Sequence, residues 1–224
     1  MTDSSLEGAL KDQMLLFAKA LVDADLLQYY GGNLSTRIGD DDLLISRTHT
    51  KKLELSHEDI VRTGIFEDDE NSPAASSALE IHREIYKRTD ARAVIHAHPP
   101  EAISLSFFTE NIEPVDENGI LYLGRSVRVV SAPALFAWNV IAGELADGLI
   151  NARVVMHKWH GSFAKGEDLA DAYHRTRAVE HAAGQIIRLR QMEPFFGPPT
   201  PVPGVAVAVL GGVEGRVTKR VPSY

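Results

Sequence analysis

A chain of 224 residues with 44% hydrophobic and 24% charged side chains fits one α/β domain with a full core. No window of it approaches the roughly 18 unbroken apolar residues of a membrane span. Zero cysteines exclude disulfides and thiolate metal sites, and a net charge of −8 disfavours bulk attraction to nucleic acid or anionic membranes, leaving a small substrate and nitrogen or oxygen metal ligands as the open options.

The opening, MTDSSLEGALKDQ, is polar and acidic and lacks the basic start and apolar block of a secretion signal, so a cytoplasmic location is expected. Leu6, Leu10, Met14, Phe17 and Leu21 recur at helical spacing after a capping serine and predict an amphipathic helix. YYGGNLSTRI and DDLLISR read as two short strands joined through an acidic turn. SHEDIV reads as a short helical turn, and FEDDENSPAASS, acidic and rich in small residues, as a loop. From Ser77, SALEIHREIYKR has helical spacing with serine as its cap and leads into the strand AVIHAH.

PPEAISLSFF is expected to be helical, and ILYLGRSVRVVS reads as two strands around Gly124 and Arg125. A helix opened by Pro133 follows. ARVVMHKWHG reads as a buried strand ending at His160, and GEDLADAYHRTRAVEHAAGQIIRLRQ as the last long helix. From Pro194 the Pro- and Gly-rich tail is expected to be an arm. Strands and helices mix irregularly, which favours an α/β layer fold with a mainly antiparallel sheet, in a single domain spanning 1–224.

Two histidines mark the chemistry. Side chains alternate along a strand, so Val94, His96 and His98 share one face, and Pro99 and Pro100 stop the strand just beyond. Two neutral imidazoles on one face suit a divalent metal, although an isolated H-x-H is also simply a polar strand face. His160, before a glycine that permits a sharp turn, supplies a third nitrogen, and three histidines leave the open position of a catalytic zinc site. His157, three residues earlier in an extended chain, is expected to face away. His82 reads as a satisfied core histidine, His174 and His181 as surface or interface residues, Glu180 as a buried hydrogen-bonding group, and Trp138 and Trp159 as core or subunit contacts.

With GGNLS, LLISRTHTKKL, SSALEIHREIYKRTDARAVIHAHPP and HGSFAKGEDLADAYHRTRAVEHAA in view, the chain from about residue 10 to 190 resembles the class II aldolase and adducin-head family, L-fuculose-phosphate aldolase among its members. The resemblance implies a three-layer α/β/α fold, one divalent metal per subunit, Zn2+ first and Mn2+, Fe2+ or Co2+ as alternatives, on His96, His98 and His160, and a homotetramer with active sites between subunits. It places a phosphate pocket at Asn33, Thr48, Ser76 and Ser77, with His49 where the family has glycine. Short hydroxyl donors and amides at a helix start suit a phosphate, and helix capping is the plainer reading of the serines.

The family's proton-shuttling glutamate is matched by Ala78, which can neither ligate nor transfer a proton. The resemblance then implies a carbon–carbon lyase, with aldolase-like cleavage of a phosphorylated sugar or keto compound through an enediolate. Acid or base work would pass to Glu117, Tyr122 or His49, with Asp116 and Tyr224 as further candidates. Decarboxylation of a hydroxy or aromatic carboxylate, recognised by Arg47, His49 and Lys51, is the alternative, followed by a non-catalytic, adducin-like assembly role.

Overall fold

A computed structural model of the chain describes residues 3–28, 30–134 and 137–200. The expectations for Tyr224, for the Trp138 side chain and for the arm beyond residue 200 lie outside the described residues. In chain order the elements are α1 (Asp3–Asp23), β1 (Asn33–Ile38), β2 (Asp42–Ser46), β3 (Ile60–Gly64), α2 (Leu79–Arg88), β4 (Ala93–Ala97), α3 (Pro100–Ser106), β5 (Asn111–Ile112), α4 (Glu117–Leu123), β6 (Val127–Val130), α5 (Trp138–Gly148), β7 (Val154–His157), β8 (Gly161–Gly166) and α6 (Leu169–Phe196).

The eight strands form one sheet in the order β3-β2-β1-β4-β8-β7-β6-β5. Every neighbouring pair is antiparallel except β6 with β7. Helices cover both faces, giving the three layers. On one side Ile81 and Ile85 of α2 and Ile141 and Leu145 of α5 pack on Val94, Val155 and Phe163. On the other, Met14, Ala18 and Leu21 of α1 and Leu169 and Ala172 of α6 pack on Ala93, Ile95 and Ala97, and α6 continues onto β6, β7 and β8 through Val179, Ala182 and Ile186. The period-2 alternation of β4 thus assigns Val94 and His96 to the α2 side, and burial of both faces explains why its apolar run is nearly continuous.

Four boundaries away from the histidine turn depart from the sequence expectation. ILYLGRSVRVVS contains one strand, because its first half is helical in α4. There Asp116 caps the helix by accepting from the Gly119 N–H at 2.8 Å, and Gly124 ends it at φ 83°, a left-handed turn that glycine adopts without steric penalty. Pro133 opens no helix, since α5 begins at Trp138. Ser77 is not the cap of α2; Ala78 occupies that position without a side-chain hydrogen bond. Pro194 lies inside α6, where it removes one i→i−4 hydrogen bond near the end of the helix, and the helix ends at Gly197.

Candidate metal centre

His96 is the penultimate residue of β4 and His98 lies one residue past the strand, where its N–H donates to the Leu26 carbonyl. His160 is not the end of a strand. It is the last residue of the three-residue turn Lys158–Trp159–His160 that joins β7 to β8, with His157 paired to Gly161 across the hairpin and Trp159 at φ 65°. A left-handed tryptophan is unfavourable by roughly 1–2 kcal/mol. Its N–H donates to Ser106 Oγ at 3.0 Å, which ties the turn to the end of α3.

The three imidazoles converge. His96 Nε2 lies 3.1 Å from His160 Nε2 and 3.2 Å from His98 Nε2. Around a tetrahedral ion with Zn–N near 2.0–2.1 Å, neighbouring nitrogens stand about 3.3 Å apart, so the donor set fits a divalent cation with little adjustment. His96 Nδ1 lies 3.0 Å from the Ser162 carbonyl and donates to it, which keeps the Nε2 lone pair for the centre. Phe163 stacks on the same ring at 4.2 Å and 12°. Among the described residues no carboxylate joins the group.

All three rings are held below their ordinary range, chiefly by burial that disfavours the cation; proximity of the other imidazoles adds to this at His96 and His160. They are therefore neutral, as ligands must be. Glycines let the backbone approach. A Cβ on Gly161 would fall 2.3 Å from the Ala97 carbonyl and 2.9 Å from the His98 ring, one on Gly31 would fall 2.8 Å from that ring, and Gly32, at φ 72°, faces the His96 carbonyl. Glu180 of α6 accepts from the Glu101 and Ala102 N–H groups at 3.0 and 3.1 Å, capping the start of α3 directly after His98-Pro99.

His157 corrects the strand argument. It is buried, and its ring centroid lies 5.0 Å from that of His160, because the turn folds back where an extended chain would have separated the two. Burial holds its pKa down to about 4.

One corner beside the histidines collects the polar residues. Asn33 pairs with His96 across β1 and β4, and its Oδ1 lies 2.6 Å from His82 Nε2 on α2. Ser76 and Ser77 enter the same helix, where Ser76 Oγ accepts from the Ala78 N–H. The Thr48 N–H donates to the Ala74 carbonyl at 3.4 Å, and an isolated bridge links Arg47 to Ala75, which sets the Thr48–His49 loop beside the serines. His49 keeps a left-handed backbone at φ 56°. Ala78, 3% exposed, adds no functional group. Glu117 and Tyr122 lie elsewhere, on α4, where the Tyr122 ring stacks on His174 at 6.1 Å in an open groove that also holds Asn118 and Arg177. His174 and His181 are exposed on α6.

Burial of neutral histidines has a consequence for acid stability. His82 is fully buried and held down to about 3, so the unfolded chain gains a proton below its ordinary pKa near 6.5 while the folded chain does not. The stability this ring contributes is present above pH 6.5 and is lost as pH falls from 6.5 toward 3, at up to about 1.4 kcal/mol per unit. The metal-stripped protein is expected to hold its Tm between pH 8 and 7 and to melt progressively lower from pH 6.5 to 4.5. A flat calorimetric profile over that range would contradict the burial.

Residues 12–187 match the family model of the class II aldolase and adducin N-terminal domain. A methylthioribulose-1-phosphate dehydratase of a Sulfurihydrogenibium strain is 29% identical over 167 residues, 66% of this chain and 75% of that protein. A 3,4-dihydroxyphthalate decarboxylase of Arthrobacter keyseri is 24% identical over 194 residues, 80% of this chain and 78% of that protein. The crystal structure of L-fuculose-1-phosphate aldolase from Thermus thermophilus superposes with a TM-score of 0.77 at 28% identity, covering 84% of this chain and 98% of the other. Among the described residues no helix is long and apolar enough to cross a membrane.

Proposed function

Because the chain belongs to the class II aldolase and adducin N-terminal domain family, we propose that it is a metal-dependent carbon–carbon lyase, with aldolase-like cleavage of a small phosphorylated sugar or keto compound as its reaction. The observation that carries this reading is the convergence of three neutral imidazoles next to the corner of Asn33, Thr48, Ser76 and Ser77. His96, His98 and His160 would hold a divalent ion, zinc first, and that ion when bound supplies Lewis acidity toward a substrate carbonyl or hydroxyl. A scaffold has no need of such a donor set, which sets the assembly reading last.

The chain's own residues then position the substrate. The Asn33 amide, the Ser76 and Ser77 hydroxyls and the Thr48 hydroxyl donate to its anionic end, and the start of α2 favours negative charge there. Anchoring the remote end fixes the reacting end against the histidines. Proton transfer falls to His49, which shares a loop with Thr48, or to Glu117 and Tyr122 of a neighbouring subunit in a homotetramer whose sites lie at the subunit contacts.

Ala78 favours a second reading, decarboxylation. A carboxylate substrate arrives already deprotonated, so bond cleavage demands no base, and an alanine in place of a carboxylic acid removes a negative charge that would repel it. Elemental analysis of the purified protein, together with product identification on sugar phosphates and on hydroxy or aromatic carboxylates, tests both. An aldehyde with dihydroxyacetone phosphate supports the first, carbon dioxide the second, and an inert protein without metal overturns the enzyme reading.

Ala78→Glu separates them further. Under aldolase-like chemistry it is expected to raise cleavage by about 10²-fold, the lower bound for a positioned general acid or base. Under decarboxylation it is expected to lower turnover. An unchanged rate with either substrate class would show that proton transfer does not use position 78 and point to a base placed elsewhere or to different chemistry.

A further inference from the structure

None of the roles above uses His82, yet it is 0% exposed and joins a line of short hydrogen bonds running from the core to the anion corner. Its Nδ1 lies 2.6 Å from Ser35 Oγ, and that oxygen lies 2.8 Å from the Tyr86 hydroxyl. On the other side its Nε2 lies 2.6 Å from Asn33 Oδ1. Ser35 is fully buried and Tyr86 is 2% exposed, so water does not compete for these bonds.

Protons can be placed along this line. Burial keeps the imidazole neutral, and a neutral imidazole has one N–H and one lone pair. An amide oxygen only accepts, so the N–H sits on Nε2 and donates to Asn33. Nδ1 then accepts from the Ser35 hydroxyl, leaving Ser35 Oγ to accept from Tyr86. The direction matters at Asn33. Its oxygen is engaged inside the protein, and the NH2 group, on the other branch of the planar amide, is left for a ligand. Turned by 180°, the same amide would present an oxygen to an incoming anion and repel it.

We infer that His82 is a positioning residue: backed by Ser35 and Tyr86, it locks the Asn33 side chain with its NH2 group toward the substrate's anionic end. This rests on the reading of that corner as an anion site, and it adds a determinant that lies one helical turn beyond Ala78 and never touches the substrate.

The test uses the full chain labelled with 15N. Long-range ring correlations of His82 are expected to show a single neutral tautomer, Nε2–H, between pH 8 and 6; the Nδ1–H tautomer would place the Asn33 oxygen in the corner and overturn the inference. In parallel the protein is titrated with inorganic phosphate. Asn33→Ala and His82→Phe are each expected to weaken binding by about 10-fold, the effect of one hydrogen bond to a charged group, and the double variant by no more than either alone. His82→Gln, which retains a donor, is expected to recover most of the loss. Phosphate binding by His82→Phe equal to the wild type, beside a weakened Asn33→Ala, overturns the inference alone, as does an additive double variant. Unweakened Asn33→Ala overturns the anion corner itself and the inference with it. Should His82→Phe not fold, Ser35→Ala, which removes the donor to Nδ1, is expected to lose the single-tautomer signature and to weaken phosphate by a few-fold; wild-type behaviour in both would refute the inference.

Discussion

Under the proposed function, replacing His160 with alanine is expected to abolish binding of a divalent cation and to lower turnover by more than the roughly 10–100-fold that follows loss of an outer-shell partner. The reason is geometric. His160 contributes one of only three nitrogens in the cluster, with its Nε2 3.1 Å from that of His96, and among the described residues no carboxylate stands ready to replace it. Because its side chain belongs to a turn, truncation leaves no large core cavity, unlike the loss of His96, whose ring fills space against Phe163. The variant is therefore expected to fold, with metal content after dialysis well below one ion per chain and a Tm that no longer rises on adding Zn2+. Stoichiometric zinc in His160→Ala would remove the centre as described.

Gly161→Ala acts on the same centre through the backbone and is the second large effect. The added Cβ would meet the Ala97 carbonyl at 2.3 Å, the His98 ring at 2.9 Å and the His96 ring at 3.0 Å. The first contact is main chain held in the ladder between β4 and β8 and cannot rotate away, so the hairpin end must lift. Overpacking of this kind destabilises by roughly 1–3 kcal/mol, a fall of about 3–10 °C in a chain of this size, and it separates the three imidazoles that would share an ion. Zinc affinity is expected to fall with it. Gly39→Ala is the control: that glycine is left-handed at φ 66° with open space around its Cβ, so it is expected to lose stability while keeping its metal. If Gly161→Ala bound zinc as tightly as the wild type, close approach at this glycine would not matter to the centre.

Much of this was legible in the residues. The alternation of AVIHAH put Val94 and His96 on one face, and β4 has them so. Zero cysteines limited the donor set to nitrogen and oxygen, and Glu180 on an apolar stripe pointed to a hydrogen bond that turns out to cap α3. The errors share a cause. Period-2 geometry carried through Lys158, Trp159 and His160 turns His157 away, but the chain turns there; ILYL reads as strand because a run of four apolar residues fits either period, and it forms the end of α4 instead. Tertiary packing of Leu123 and the left-handed Gly124 decided the second.

Local spacing determines which faces carry histidines and which helices are amphipathic, since both follow from repeat distances of a few residues. It determined the histidine pair and the third candidate, while the missing acid at Ala78 was marked by the family resemblance and not by spacing. Only the folded chain decided that His98 and His160 meet over His96, that Gly31 and Gly161 are the spaces that let them, and that Asn33 answers to His82. Those relations join residues dozens of positions apart, and their distances depend on strand pairing and close packing that no local pattern encodes.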